Sequence, residues 1–145
     1  MPEQFQVAAY RHFQTAELLA DNSMLDDAAY HLGVAGENAV KHAMQEAGLE
    51  VHWDAAGMNK NTQPMRGHWG RLQAKLVAEA ATINVFSSGR RSAPLKRLIA
   101  SGSITEFSGW SIDIRYADST LVPVSTADHQ RWYDDAQAFL IDFAL

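Results

Sequence analysis

The stretch "YHLGVAGENAVKHAM" at residues 30–44 sets the packing problem that the rest of the chain has to solve. It lies within a helical pattern over about 24–47, where Leu25, Ala28, Leu32, Ala35, Ala39 and Ala43 recur at three- and four-residue steps and form one stripe. That stripe is unusually small. Gly33 and Gly36 each cost about 1 kcal/mol relative to alanine inside a helix, so a helix that keeps both implies a neighbouring backbone packed close against it. Gly48 is suited to end the helix.

The flanking segments supply the partners. Phe5, Ala9, Phe13, Ala16 and Leu19 predict a first helix over about 3–20. The turn "DNSMLDD" follows, with Asp26 and Asp27 placed where the dipole of the next helix favours negative charge. Residues 48–63 are polar and glycine-bearing and read as a long connection. Pro64 and Gly67 introduce a third helix that faces inward through Trp69, Leu72, Leu76, Ala80 and Ile83. "SSGRRSAP" breaks it, a short helix runs over about 94–100, and "SGSITEFSGWSIDIRYADS" reads as an ordered loop too short in its alternating stretches for an independent sheet. Ser125 and Asp128 form a variant capping box for a last helix buried through Trp132, Ala136, Phe139, Leu140 and Phe143. Without repeats, low-complexity tracts or a dividing linker, residues 1–145 read as a single all-α domain, an up-and-down bundle of four main helices with a short extra helix and a long ordered loop before the last one.

Composition narrows the chemistry. At 145 residues, folding removes roughly 70% of the unfolded chain's surface from water. With 47% hydrophobic residues, a core forms without metal or disulfide. The absence of cysteine excludes a disulfide framework, a thiolate zinc site and a cysteine nucleophile. No start resembling a signal peptide and no run near the roughly 20 apolar residues of a membrane span is present, so a soluble, cytoplasmic protein without membrane contact is expected. A formal charge of −5 means that any nucleic-acid contact has to come from a local basic patch.

Small apolar residues, then Glu37, then Lys41 in "AAYHLGVAGENAVKHAM" resemble the second helix of HEPN-domain proteins, whose members commonly show an A-x-x-x-x-E-x-x-x-K pattern. "HWGRL" at the start of the third helix and "IRYAD" before the last are similar to that family too, and the likeness spans nearly the whole chain. The resemblance implies a HEPN-like bundle that dimerises, binds nucleotide or RNA, and in many members acts as a metal-independent ribonuclease. It also implies a place in a toxin–antitoxin or defence module, paired with a nucleotidyltransferase or another module partner. The family's ribonucleases carry an arginine followed four to six residues later by a histidine. None of His12, His31, His42, His52, His68 and His129 has an arginine at that offset. Arg115 is too far from His129, and Arg131 follows it in the wrong order, so no catalytic pair is carried over.

The residues themselves offer other candidates. Glu37 and Lys41, four apart on one helical face, make either a ligand-contacting pair or a surface or interface ion pair, and with Gly33 and Gly36 they are the interface candidates. His31 and His42 are separated by about 16 Å of helix and cannot share a metal, and no Glu-x-x-His is present, so neither metal nor cofactor is expected. Arg66, His68, Arg71 and Lys75 outline a basic ridge. Arg90, Arg91, Lys96 and Arg97 follow, with no acid between residues 80 and 105. Both sets suit phosphates or an acidic partner, or form a solvated face. Trp110, and Tyr116 beside Arg115, offer flat surfaces for a base, while Trp53, Trp69 and Phe107 read as covers for the bundle ends. No G-x-S-x-G, serine–lysine or phosphate-cradling glycine loop occurs. The leading expectation is a nucleotide- or RNA-binding member lacking the usual nuclease pair. The alternatives are a protein-interaction or dimerisation subunit and a ribonuclease with a divergent site.

Overall fold

Helix α2 (Leu25–Glu46) is the axis around which the other elements gather. The computed structural model describes residues 4–55, 65, 67–116 and 123–145, with the side chains of 54, 55, 115 and 116 excepted. Among these residues every regular element is helical. Helix α1 (Phe5–Asp21) forms a hairpin with α2 and buries Phe5, Ala9, Phe13 and Ala16. Ser23, in the left-handed region at φ 61°, turns the chain between them.

Beyond α2 come α3 (Leu49–Ala55), α4 (Trp69–Ala78), α5 (Ala80–Phe86), α6 (Ser92–Ile99), a 3₁₀ turn (Ile112–Tyr116), α7 (Thr126–Phe139) and a closing π-helical turn (Leu140–Ala144). The cap expected of Ser125 forms, its Oγ accepting from the Asp128 N–H at 3.0 Å. Asp26 Oδ1 accepts from the Val124 N–H at 2.7 Å and fixes where α7 begins relative to α2.

Three expectations are corrected. The segment after Gly48 is partly helical, because Leu49 and Trp53, both buried, lie four apart on one face of α3; residues 56–63 of the expected connection lie outside the described residues. The third helix is broken at Glu79, which leaves helical geometry at ψ 19° and accepts from Thr82 Oγ1 at 3.2 Å. The glycines of α2 make room for aromatic rings rather than for another backbone. A methyl group on Gly33 would lie 1.9 Å from Trp110 Cε2, and one on Gly36 would lie 2.5 Å from Phe107 Cζ.

The loop before α7 therefore acts as a plug in the core. Phe107 sits at φ 59°, a conformation costly for any residue with a Cβ, and its N–H donates to Asp135 Oδ2 at 2.9 Å. Its ring meets Trp69 and Phe139 edge to face at 5.6 and 5.3 Å. Indole N–H groups bind the same segment: Trp69 donates to the Glu106 carbonyl, Trp132 to that of Ser108, and Trp110 to that of Ala29 on α2. Among the described residues no helix is long and apolar enough to cross a membrane.

Candidate functional site

Charged residues on the buried side of a helix have to be neutralised by what packs on them, and Glu37 is where α2 meets this demand. Its neighbours Val34, Ala35, Gly36, Ala39 and Val40 are all buried, and Glu37 and Lys41 themselves keep only 4% and 8% of their surface. The pair is buried within the chain rather than set on its surface, although Lys41 still reaches the wall of a cleft. Glu37 Oε1 lies 3.8 Å from Lys41 Nζ and accepts from His68 Nδ1 at 3.2 Å. The Trp69 N–H, first in α4, also serves the carboxylate, so a residue of α2 supplies the negative charge that the start of α4 favours. Burial pushes the Glu37 carboxyl above its ordinary range, against the opposing pull of Lys41, His68 and that N–H. Among the described residues its Oε2 is buried without a hydrogen-bond partner.

Two open clefts flank this carboxylate and share Gly67 as a wall. The first, about 440 Å³, lies between α1 and α2 and is lined by Phe5, Met65, Gln4, Asn38 and Lys41. The second, about 340 Å³, is lined by His68, Arg71, Trp110, Ser111 and Ile112. Gly67 is at φ 119°, and the Arg71 stem runs close over it, where a Cβ would be only 3.1 Å from Cδ. His68 leaves 53% of its side chain exposed, and donation from Nδ1 to Glu37 turns Nε2 outward. Lys75 follows Arg71 by one turn, and its pKa is lowered by burial first and then by the charge of Arg71, with Glu79 opposing.

Of the ridge read from spacing, His68 is the N-cap residue of α4, Arg71 and Lys75 stand one turn apart on it, His68 and Arg71 line the second cleft, and Lys41 lines the first. Arg66 lies outside the described residues, as do the side chains of Arg115 and Tyr116. The second basic set does not hold together. Arg91 is turned inward, where Nε donates to Glu46 Oε2 at 2.8 Å and the other nitrogens donate to the carbonyls of Asp142 and Leu145. Arg97 lines a separate groove with Glu106 and Asp142 on its rim, while Arg90 is exposed and acts on His42 and Glu46. Lys96 is half-buried on α6.

Trp110 is corrected as a stacking surface: its ring is buried over Gly33, with only its edge reaching the second cleft. Trp53, Trp69 and Phe107 are buried in the core. His129 has its Nε2 buried without a partner among the described residues, and Arg131 is engaged with Asp128 at 2.8 Å, so these two do not compose an exposed pair. Among the described residues no three His, Asp or Glu side chains gather to hold a metal.

Sequence reasoning missed that Lys41 and Glu37 belong with the ridge. The signal was there: Glu37 and Lys41 are one helical turn from Val34, Val40 and Met44, on the apolar side of α2 rather than the side of His31, Asn38 and His42. No family model, curated protein or solved structure significantly matches the chain.

Proposed function

We propose that the chain is a HEPN-like four-helix bundle, without the family's usual Arg–His ribonuclease pair, that binds the phosphates of a nucleotide or single-stranded RNA. The observation that carries this reading is that two clefts sharing Gly67 are each lined by cationic side chains, the first by Lys41 and the second by His68 and Arg71. In an otherwise acidic chain this grouping favours an anion: the guanidinium of Arg71 suits phosphate oxygens, and His68, whose Nδ1 proton is given to Glu37, donates from Nε2 only as the imidazolium. The resemblance supports a homodimer serving a toxin–antitoxin or defence module beside a nucleotidyltransferase. The interaction-subunit alternative fares worse, since the small-residue face it relied on is covered by Phe107 and Trp110 of the same chain.

The test is fluorescence anisotropy with a labelled single-stranded RNA and unlabelled nucleotides as competitors, at about 50 and 200 mM salt. A site that neutralises about three phosphates weakens roughly tenfold to twentyfold over that interval. Arg71→Glu is expected to abolish saturable binding, and the triple reversal of Arg90, Lys96 and Arg97 to leave most of it. Binding that follows the triple reversal instead, or no binding at near-millimolar ligand, overturns the reading.

A further inference from the structure

His12 on α1 and His31 on α2 face each other across the hairpin, with Nδ1 to Nδ1 at 2.9 Å. Their rings are within 27° of parallel, and their centres are 5.1 Å apart. A ring nitrogen sits about 1.2 Å from its own ring centre, so this separation puts both nitrogens nearly on the line between centres and their lone-pair directions head-on. That arrangement selects what fits between them. A zinc-like cation binds imidazole nitrogen at about 2.0–2.1 Å and, on a straight line, would hold the two nitrogens about 4 Å apart. A proton fits at 2.9 Å. Two N–H groups cannot point at each other over that distance, and two bare lone pairs repel, so one Nδ1–H donates to the other Nδ1.

We propose that His12 and His31 form a proton-sharing clasp of the α1–α2 hairpin, closed while a single proton lies between the two Nδ1 atoms and sprung when both are protonated. The neutral pair carries two ring protons, one on the donor's Nδ1 and one on the acceptor's Nε2. A first added proton goes to the donor's Nε2, leaving the bond intact and charge-assisted. A second has only the acceptor's Nδ1 left to take, which replaces the bond with two facing N–H groups on two cations. Arg11 of α1 and Asp27 of α2 are the charged groups that bear on the pair, and the Tyr30 ring packs edge-on against His31 at 5.0 Å. Burial lowers both imidazole pKa values first; His31 and Arg11 add to this at His12, and Asp27 opposes it at His31.

Nitrogen NMR of the histidine rings across a pH titration tests this on the unaltered protein, with amide hydrogen exchange along α1 followed in parallel. The expected result is one ring in the Nδ1–H form and the other in the Nε2–H form near neutrality, then two separated protonation steps. Exchange protection around Phe13 is lost only with the second step. In His12→Asn the split is expected to vanish, with His31 titrating as a single group. Two rings in the same tautomer, or independent titration with α1 protection unchanged through both steps, overturns the proposal, and the wild-type arm decides even if the variant fails to fold.

Discussion

Gly33→Ala is expected to destabilise the protein although alanine is the better helix former. A Cβ on Gly33 would lie 1.9, 2.2 and 2.3 Å from Trp110 Cε2, Cζ2 and Nε1, where carbon contacts settle at about 3.5–4.0 Å. The indole therefore has to move by about 1.5 Å, enough to break its 2.8 Å bond to the Ala29 carbonyl, and it is buried on its other side. Expelling a buried tryptophan costs about 3–5 kcal/mol, and the alanine returns about 1 kcal/mol of helix propensity. The net expectation is a loss of about 2–4 kcal/mol, read from urea denaturation followed by far-UV circular dichroism. Gly70→Ala is the control: it is helical, its added Cβ meets nothing within 4 Å, and it is expected to be neutral or stabilising by up to about 1 kcal/mol. If Gly33→Ala stabilised the protein as Gly70→Ala does, the account of α2 as a helix grooved for an aromatic plug would be refuted.

Arg91→Met removes a buried guanidinium that joins Glu46 to the closing turn, and a loss of about 2–4 kcal/mol in the same denaturation assay is expected, discounted for the partial exposure of Glu46. Ser125→Ala deletes the α7 cap and should cost about 1 kcal/mol, while a change within error would mean that the cap is not holding the helix end. Burial lowers the pKa values of His12, His31, His42 and His129 in the folded state, so below their ordinary value of 6.5 the unfolded chain binds more protons. Stability should fall with pH from there until the folded-state values are passed; denaturation midpoints that stay flat across this window contradict it. Glu37 acts with the opposite sign, since its raised folded-state pKa makes ionisation costly as pH rises above its ordinary 4.5. The stability difference between wild type and Glu37→Gln should therefore shift in favour of wild type as pH falls toward that value.

The helices that bury a face were legible because their period is local: Phe5 to Leu19 and Trp132 to Phe143 announce their stripes, and Ser125 announces its cap. What the two glycines accommodate was not legible, because Trp110 and Phe107 come from a loop more than 70 residues away and no local pattern assigns a loop aromatic to a helix groove. The same limit applied to the basic residues. Spacing placed Arg71 and Lys75 one turn apart on α4, since that is a property of one helix, with His68 at its N-cap. It could not show that Arg91, between two other cations in the chain, turns inward to carbonyls of the last turn. The meeting of His12 and His31 depends on the register of α1 against α2, which apolar periodicity leaves open by a turn.

The central claim is that phosphate binds at the two clefts lined by Lys41, His68 and Arg71, and amide chemical-shift mapping tests it most directly. The protein is titrated with a short single-stranded RNA at low salt while its backbone resonances are followed. The account predicts saturable shifts concentrated at residues 67–72 and 38–41, reduced by added salt. Shifts centred on Arg90, Lys96 and Arg97, or none at near-millimolar RNA, would contradict it.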